Sequence, residues 1–218
     1  MERTEPGPEE QNCLDNVQRR QREGVDLNTM LVGDYGDPPL LLAAERDWYT
    51  SARWLLDNGA NVNLVGSDGW TALHIAAIGG FYELMCLLLD AGARVDVRSR
   101  ELNTALHFVG PDHAYKSCEL LLSRGAPYDI RNVRGQDPET RLRQKGCDSA
   151  ADLVAEVRAA GGWAPYVAAP RNELLELRRT LPTLRHTPSV PLYKRLFQEV
   201  PEDVFVEVFA FWRSPRDV

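Results

Sequence analysis

The chain has 218 residues, 44% of them hydrophobic and 26% charged, which suits one or two soluble domains with a sizeable buried core. Its formal net charge of −7 argues against a general nucleic-acid binder, which carries a basic excess. No apolar run reaches the roughly 18 residues that a membrane-spanning helix needs.

The opening stretch, MERTEPGPEEQ, has neither an apolar core nor a basic leader, so it does not read as a signal peptide. Residues 1–12 are expected to form a disordered tail. Cys13, Cys86, Cys118 and Cys147 show no Cys-x-x-Cys spacing, so zinc is not expected. Their scatter fits free thiols in a reducing compartment. The expected location is the cytoplasm, with the nucleus as the alternative.

Residues 13–35 carry CLDNVQRRQ, a candidate helix, followed by REGVDLN at 22–28. Three blocks then align with one another without gaps at an interval of 33 residues. They are GDPPLLLAAERDWYTSARWLLDNGANVN (36–63), GWTALHIAAIGGFYELMCLLLDAGARVD (69–96) and LNTALHFVGPDHAYKSCELLLSRGAPYD (102–129). Each reads as two short helices. In the second block Thr71 is placed to cap a compact apolar helix containing Leu73, Ile75, Ala76 and Ala77. A second helix carries Leu84, Met85, Leu87, Leu88 and Leu89, and Gly92 ends it in the left-handed conformation. The segments VNLVGSDGW, VDVRSRELN and YDIRNVRGQ that follow the glycines are extended with tight turns, and read as hairpin-like fingers. The REGVDLN motif lies 35 residues before its counterpart, so a two-residue insertion is expected within NTMLVGDYG. Residues 134–166 keep the phase through Gly135, Asp137 and Pro138, but their first helix is polar, as a terminal unit of a stacked array must be.

The period, the Thr-Ala-Leu-His motif and the Gly-Ala pairs at 59–60, 92–93 and 125–126 resemble the ankyrin repeat family. The resemblance implies an all-α solenoid of helix-turn-helix units with hairpin-like fingers. Three clear repeats span 36–133, flanked by degenerate units at 13–35 and 134–166, with a helical C-terminal extension over 167–218. Local departures are Pro38 and Leu41 in the first block, Ala72 and Ala105 where the family has proline, and Val109 and Gly110 in place of paired alanines. The Thr and His of each motif are then structural, bonding the finger backbone and the neighbouring repeat. The resemblance also places Asn63 where asparaginyl hydroxylases modify ankyrin proteins, against a plain turn role.

Chemistry is sparse. His74 and His107 belong to the repeat motif, while His113 and His186 stand apart in polar segments. None has a nucleophile or carboxylate converging on it in sequence, so no catalytic residues, cofactor or metal are expected. Cys118 shares the phase of Met85 and is expected to be buried, and Cys86 to be exposed.

The resemblance implies a non-enzymatic protein-interaction module, expected to be monomeric, that binds on the concave face made by fingers and first helices. Carried over by phase, that face offers Asp37, Ser67, Asp68, Trp70, Arg98, Arg100, Glu101, Asn103, Arg131 and Arg134. Trp70 is either an exposed anchor or packed on an adjacent finger. The four arginines either grip an acidic partner segment or are solvated and paired with Glu101 and Asp129.

Past residue 166 the period breaks. Pro201, Glu202 and Asp203 form a helix start, and Val204, Phe205, Val208, Phe209 and Trp212 make an apolar face. VPEDVFVEVFAFWR resembles the opening of an F-box, as in the PRANC motif of ankyrin-containing ligase adaptors. That resemblance implies an alternative function, a substrate adaptor of a cullin-type ubiquitin ligase. In the competing reading the helix packs back on the array as a cap.

Overall fold

The computed structural model describes residues 6–32, 36–66 and 68–168. Helices α1 (Pro8–Arg22), α2 (Pro39–Glu45), α3 (Tyr49–Asp57), α4 (Ala72–Gly79), α5 (Tyr82–Asp90), α6 (Ala105–Phe108), α7 (Ala114–Ser123), α8 (Pro138–Gln144) and α9 (Asp148–Ala159) follow one another. A short helical segment at 163–168 ends the described chain. Among the described residues the only β pairing is the isolated Val32–Asp37 bridge. The helices form two rows. In the inner row α2, α4, α6 and α8 touch in series, and in the outer row α1, α3, α5, α7 and α9 do the same. Each repeat is too small to bury its apolar face alone, so the core runs between repeats as a strip. Leu73, Leu84, Met85, Leu88, Leu106, Leu121, Leu142 and Leu153 are all fully buried along it.

Helix α1 begins at Pro8, inside the segment expected to be a tail. Pro8 occupies the first turn and Glu9 and Glu10 lie at its positive end, a start signal that the polar composition hides. Glu10 is buried and its Oε1 accepts the Ser51 backbone N–H at 2.8 Å. Trp48, at the N-cap of α3, provides no side-chain cap, so Glu10 supplies one from the neighbouring unit.

The two-residue offset upstream is visible in hydrogen bonds. Asn28 Oδ1 accepts the Asn61 N–H at 2.7 Å, and Asn63 Oδ1 accepts the Arg94 N–H at 2.8 Å. These are the same contact made one repeat apart. Gly36, Gly69, Leu102 and Gly135 share one phase and all have positive φ, so the extra residues lie between Asn28 and Gly36.

Leu102 is the exception in that row. Its φ is 60°, a conformation that costs a residue with a Cβ about 1–2 kcal/mol. Leu102→Gly is therefore expected to stabilise the fold by about 1 kcal/mol, after the entropy of a freer unfolded chain is set against the relieved strain. Urea unfolding would check this, and a lower midpoint would refute it.

Helix α6 stops after a single turn. Val109 leaves the helix with ψ 123°, where the other repeats have a second turn. Gly110 then lies against the C-terminal end of α4 and donates its N–H to the Ala77 carbonyl at 2.9 Å. The carbonyls exposed by the early stop do not stay orphaned. Lys145 Nζ donates to the Phe108 and Val109 carbonyl oxygens, both at 2.8 Å. The Val109-Gly110 departure in the sequence is thus the seat of a local change in architecture.

The last described repeat closes the array with charge. Asp137 Oδ1 caps α8 through the Thr140 N–H at 2.9 Å. Arg158 reaches Glu139 at 2.6 Å and Asp137 at 3.4 Å, and Arg143 bridges Glu139 and Asp152. Glu139 stands where the inner repeats have leucine, and these partners make its half-burial tolerable.

Candidate protein-binding face

The fingers are built by one repeated turn. Gly66 N–H donates to the Trp70 carbonyl, Ser99 N–H to Asn103, and Asn132 N–H to Gln136, at 2.8–3.0 Å. Each finger is then tied to the helix before it by the Thr-His motif. Thr71 N–H donates to His74 Nδ1 at 3.1 Å, and His74 Nε2 donates to the Asn103 carbonyl at 3.3 Å in the next finger. Thr104, His107 and Gln136 repeat the arrangement at 3.2 Å for both bonds. The Thr71 N–H can only donate, so Nδ1 must be the bare nitrogen and Nε2 must carry the proton. Burial of the ring pushes the His74 pKa down to about 4, and burial lowers that of His107 in the same direction. Both nitrogens of each ring are therefore committed to structure. Burial likewise pushes the Cys118 thiol up to about 12, away from the reactive thiolate. Cys86 is half-buried rather than exposed. Among the described residues no group of three or more His, Cys, Asp or Glu side chains could hold a metal ion. No helix among them is long and apolar enough to cross a membrane.

The residues expected on the binding face separate into two sets. Arg98, Arg100, Glu101, Arg131 and Arg134 are exposed on two neighbouring fingers, and Asp68 is exposed on the finger before them. Arg98 Nη2 donates to the Arg131 carbonyl at 2.8 Å, and Val133 N–H donates to the Glu101 carbonyl at 3.0 Å, so these two fingers are stitched together. Among the described residues none of the four guanidiniums makes an ion pair. The expected alternative, pairing with Glu101 and Asp129, is not what the side chains do. Glu101 accepts instead from Asn103 Nδ2 at 3.2 Å.

The second set serves the scaffold. Asn103 is 1% exposed, and its Oδ1 accepts from Asn132 Nδ2 at 2.9 Å. It joins two fingers from the inside and is not a contact residue, because its turn position points the amide into the stack. Trp70 is half-buried, with its ring 5.0 Å from that of Phe108, which in turn stands edge-on to His74 at 5.6 Å. It packs on the first helix of the next repeat instead of standing free at a finger tip. Asp37 is half-buried and its backbone forms the bridge to Val32. Asn63 uses both ends of its amide, holding the Gly92 carbonyl as well as the Arg94 N–H. Ser67 lies outside the described residues, as do Val204, Phe205, Val208, Phe209 and Trp212, on which the adaptor reading rests.

One residue escapes the sequence reading. Leu42, Ile75, Phe108 and Arg141 recur at 33-residue steps along the inner helices, so an arginine ends an otherwise apolar row. The signal was the phase itself, obscured because the last repeat reads as a polar cap.

The family model described as ankyrin repeats in three copies matches this chain at residues 10–99 and again at 40–132. No match is found among curated proteins.

Proposed function

Given that the chain belongs to the ankyrin repeat family of protein-interaction modules, we propose that it binds a partner protein through an acidic segment laid across the fingers that carry Arg98, Arg100, Arg131 and Arg134. The observation that carries this reading is four exposed guanidiniums on adjacent fingers, without an ion pair among the described residues, in a chain of net charge −7. Arg98 spends Nε and Nη2 on the Leu102 and Arg131 carbonyls, so the planar forks open to a carboxylate are those of Arg100, Arg131 and Arg134, and the local field of all four steers an acidic segment against the overall charge. The cross-finger bond of Arg98 holds the patch in place, which lowers the entropy lost on binding.

The test uses a fluorescein-labelled glutamate-rich peptide. The Arg98→Glu, Arg131→Glu double variant is expected to bind it at least about tenfold more weakly while staying folded, its melting temperature lowered only by the lost Arg98 bond to the Arg131 carbonyl, and wild-type affinity is expected to fall as salt rises. Equal binding by wild type and variant would sink the reading.

A further inference from the structure

Arg141 carries an unused guanidinium on the inner helices, away from the finger tips. Its Nε is buried and has no hydrogen-bond partner. No ion pair reaches it among the described residues, although one carboxylate lies on its own helix and another at that helix's N-cap. Those are committed elsewhere. Asp137 serves Thr140 and Arg158, and Glu139 serves Arg143 and Arg158. Lys145, the C-cap of α8, is within electrostatic reach and is a second cation already spent on the carbonyls of Phe108 and Val109. A buried donor left without an acceptor, beside another positive charge, is a costly arrangement unless something completes it.

The surroundings say what would complete it. The row leading to Arg141 runs Leu42, Ile75, Phe108, with Trp70 packed on Phe108 and the exposed Ile78 one turn along from Ile75. Phe108 itself is buried, so a segment lying along this row meets the half-buried Leu42 and Ile75 and the exposed Ile78 first, and one cation at the end. We propose that Arg141 seats a carboxylate side chain of the bound partner segment, with an apolar residue of the same segment lying against Ile75 and Ile78. Turning the guanidinium toward that carboxylate would engage Nε and one Nη together as a fork and relieve the orphaned donor. Neighbouring helices pack roughly 8–10 Å apart, so Ile75 and Arg141, two repeats apart, are separated by roughly 16–20 Å. Extended chain covers that in about five or six residues. The motif read at this site is therefore an apolar residue about five residues from an acidic one. This rests on the proposal of an acidic segment, and adds the register in which the segment lies.

The experiment compares the full chain with Arg141→Leu and Arg141→Lys. Leucine is the residue at Leu42 in the same row, so the first variant keeps the local packing and removes the orphaned donor. Its melting temperature is expected to equal or exceed that of wild type. The probe is a fluorescein-labelled peptide with one leucine five residues before a run of three glutamates. The control peptide has the same composition with leucine and glutamates adjacent. Wild type is expected to prefer the spaced peptide, Arg141→Leu to weaken it about tenfold and Arg141→Lys to fall between, because an ammonium keeps the charge without the fork. Arg141→Leu binding the spaced peptide as wild type does would overturn the assignment. If the Arg98→Glu, Arg131→Glu variant still loses affinity in that case, the finger reading stands and only Arg141 falls. If neither variant changes binding, or wild type binds neither peptide, both fall together.

Discussion

Lowering the pH from 7 to 5 is expected to cost the array about 2 kcal/mol at His74 alone, and about 3 kcal/mol in full once the pH reaches 4. The folded ring holds its pKa at about 4, because burial disfavours the cation. A second obstacle is geometric: the nitrogen that would take the proton, Nδ1, already faces the Thr71 N–H donor. In the unfolded chain the same histidine titrates near 6.5. Between those values the unfolded state binds more protons than the folded one, so stability rises with pH across this window. It is complete above about pH 6.5 and is lost as the pH falls toward 4. His107, lowered by burial in the same direction, adds to the slope. Urea unfolding at half-unit steps from pH 7.5 to 5 would measure it, and His74→Gln should flatten the curve while lowering stability at pH 7. A wild-type curve flat over that range would show that the rings do not hold the fingers as neutral bases. Carboxylates titrate mostly below this range, so they do not imitate the effect.

The second large effect is steric. Gly110→Ala is expected to destabilise the array by about 3 kcal/mol. A Cβ at position 110 would clash with the Ile78 carbonyl oxygen, and because that oxygen is backbone no side chain can swing away. Relieving the clash means breaking the Gly110 N–H bond to Ala77 and parting α4 from the truncated α6. In an array stabilised by contacts between neighbours, that loss falls on the interface joining two clear repeats. Gly125→Ala provides the contrast. Its Cβ would meet nothing within 4 Å, and its φ of +83° alone should cost about 1 kcal/mol. Equal losses for the two variants would remove the close approach as the cause.

A second consequence of the truncated helix concerns Lys145. This lysine is one of three in the chain, set among arginines, and it binds two carbonyls that a regular second turn of α6 would have bonded internally. The third repeat therefore depends on the fourth for satisfaction of its backbone, and the polar cap has a structural duty besides covering the apolar end.

The repeat architecture was written in the sequence because it is a spacing property. Thirty-three-residue steps, Gly-Ala pairs and Thr-x-x-His recur without gaps, and each repeat meets only its neighbours, so local pattern and global stacking say the same thing. The two-residue offset before the first clear repeat was legible for the same reason, and the bonds of Asn28 and Asn63 mark it in the fold. What the tertiary structure decided is the fate of single side chains. Glu10 reads as part of a charged tail until Ser51, 41 residues away, offers it a bare helix N-terminus. Trp70 reads equally as anchor or packing until the Phe108 ring of the next repeat is found 5.0 Å away. Asn103 reads as a finger-tip polar residue until Asn132 and Glu101 take its amide, and Arg141 reads as one more charge on a cap until every nearby carboxylate is found to be occupied. Spacing fixes which repeat a residue belongs to, but whether a polar atom is paired depends on atoms in the adjoining repeat, and that inventory exists only once the repeats are stacked.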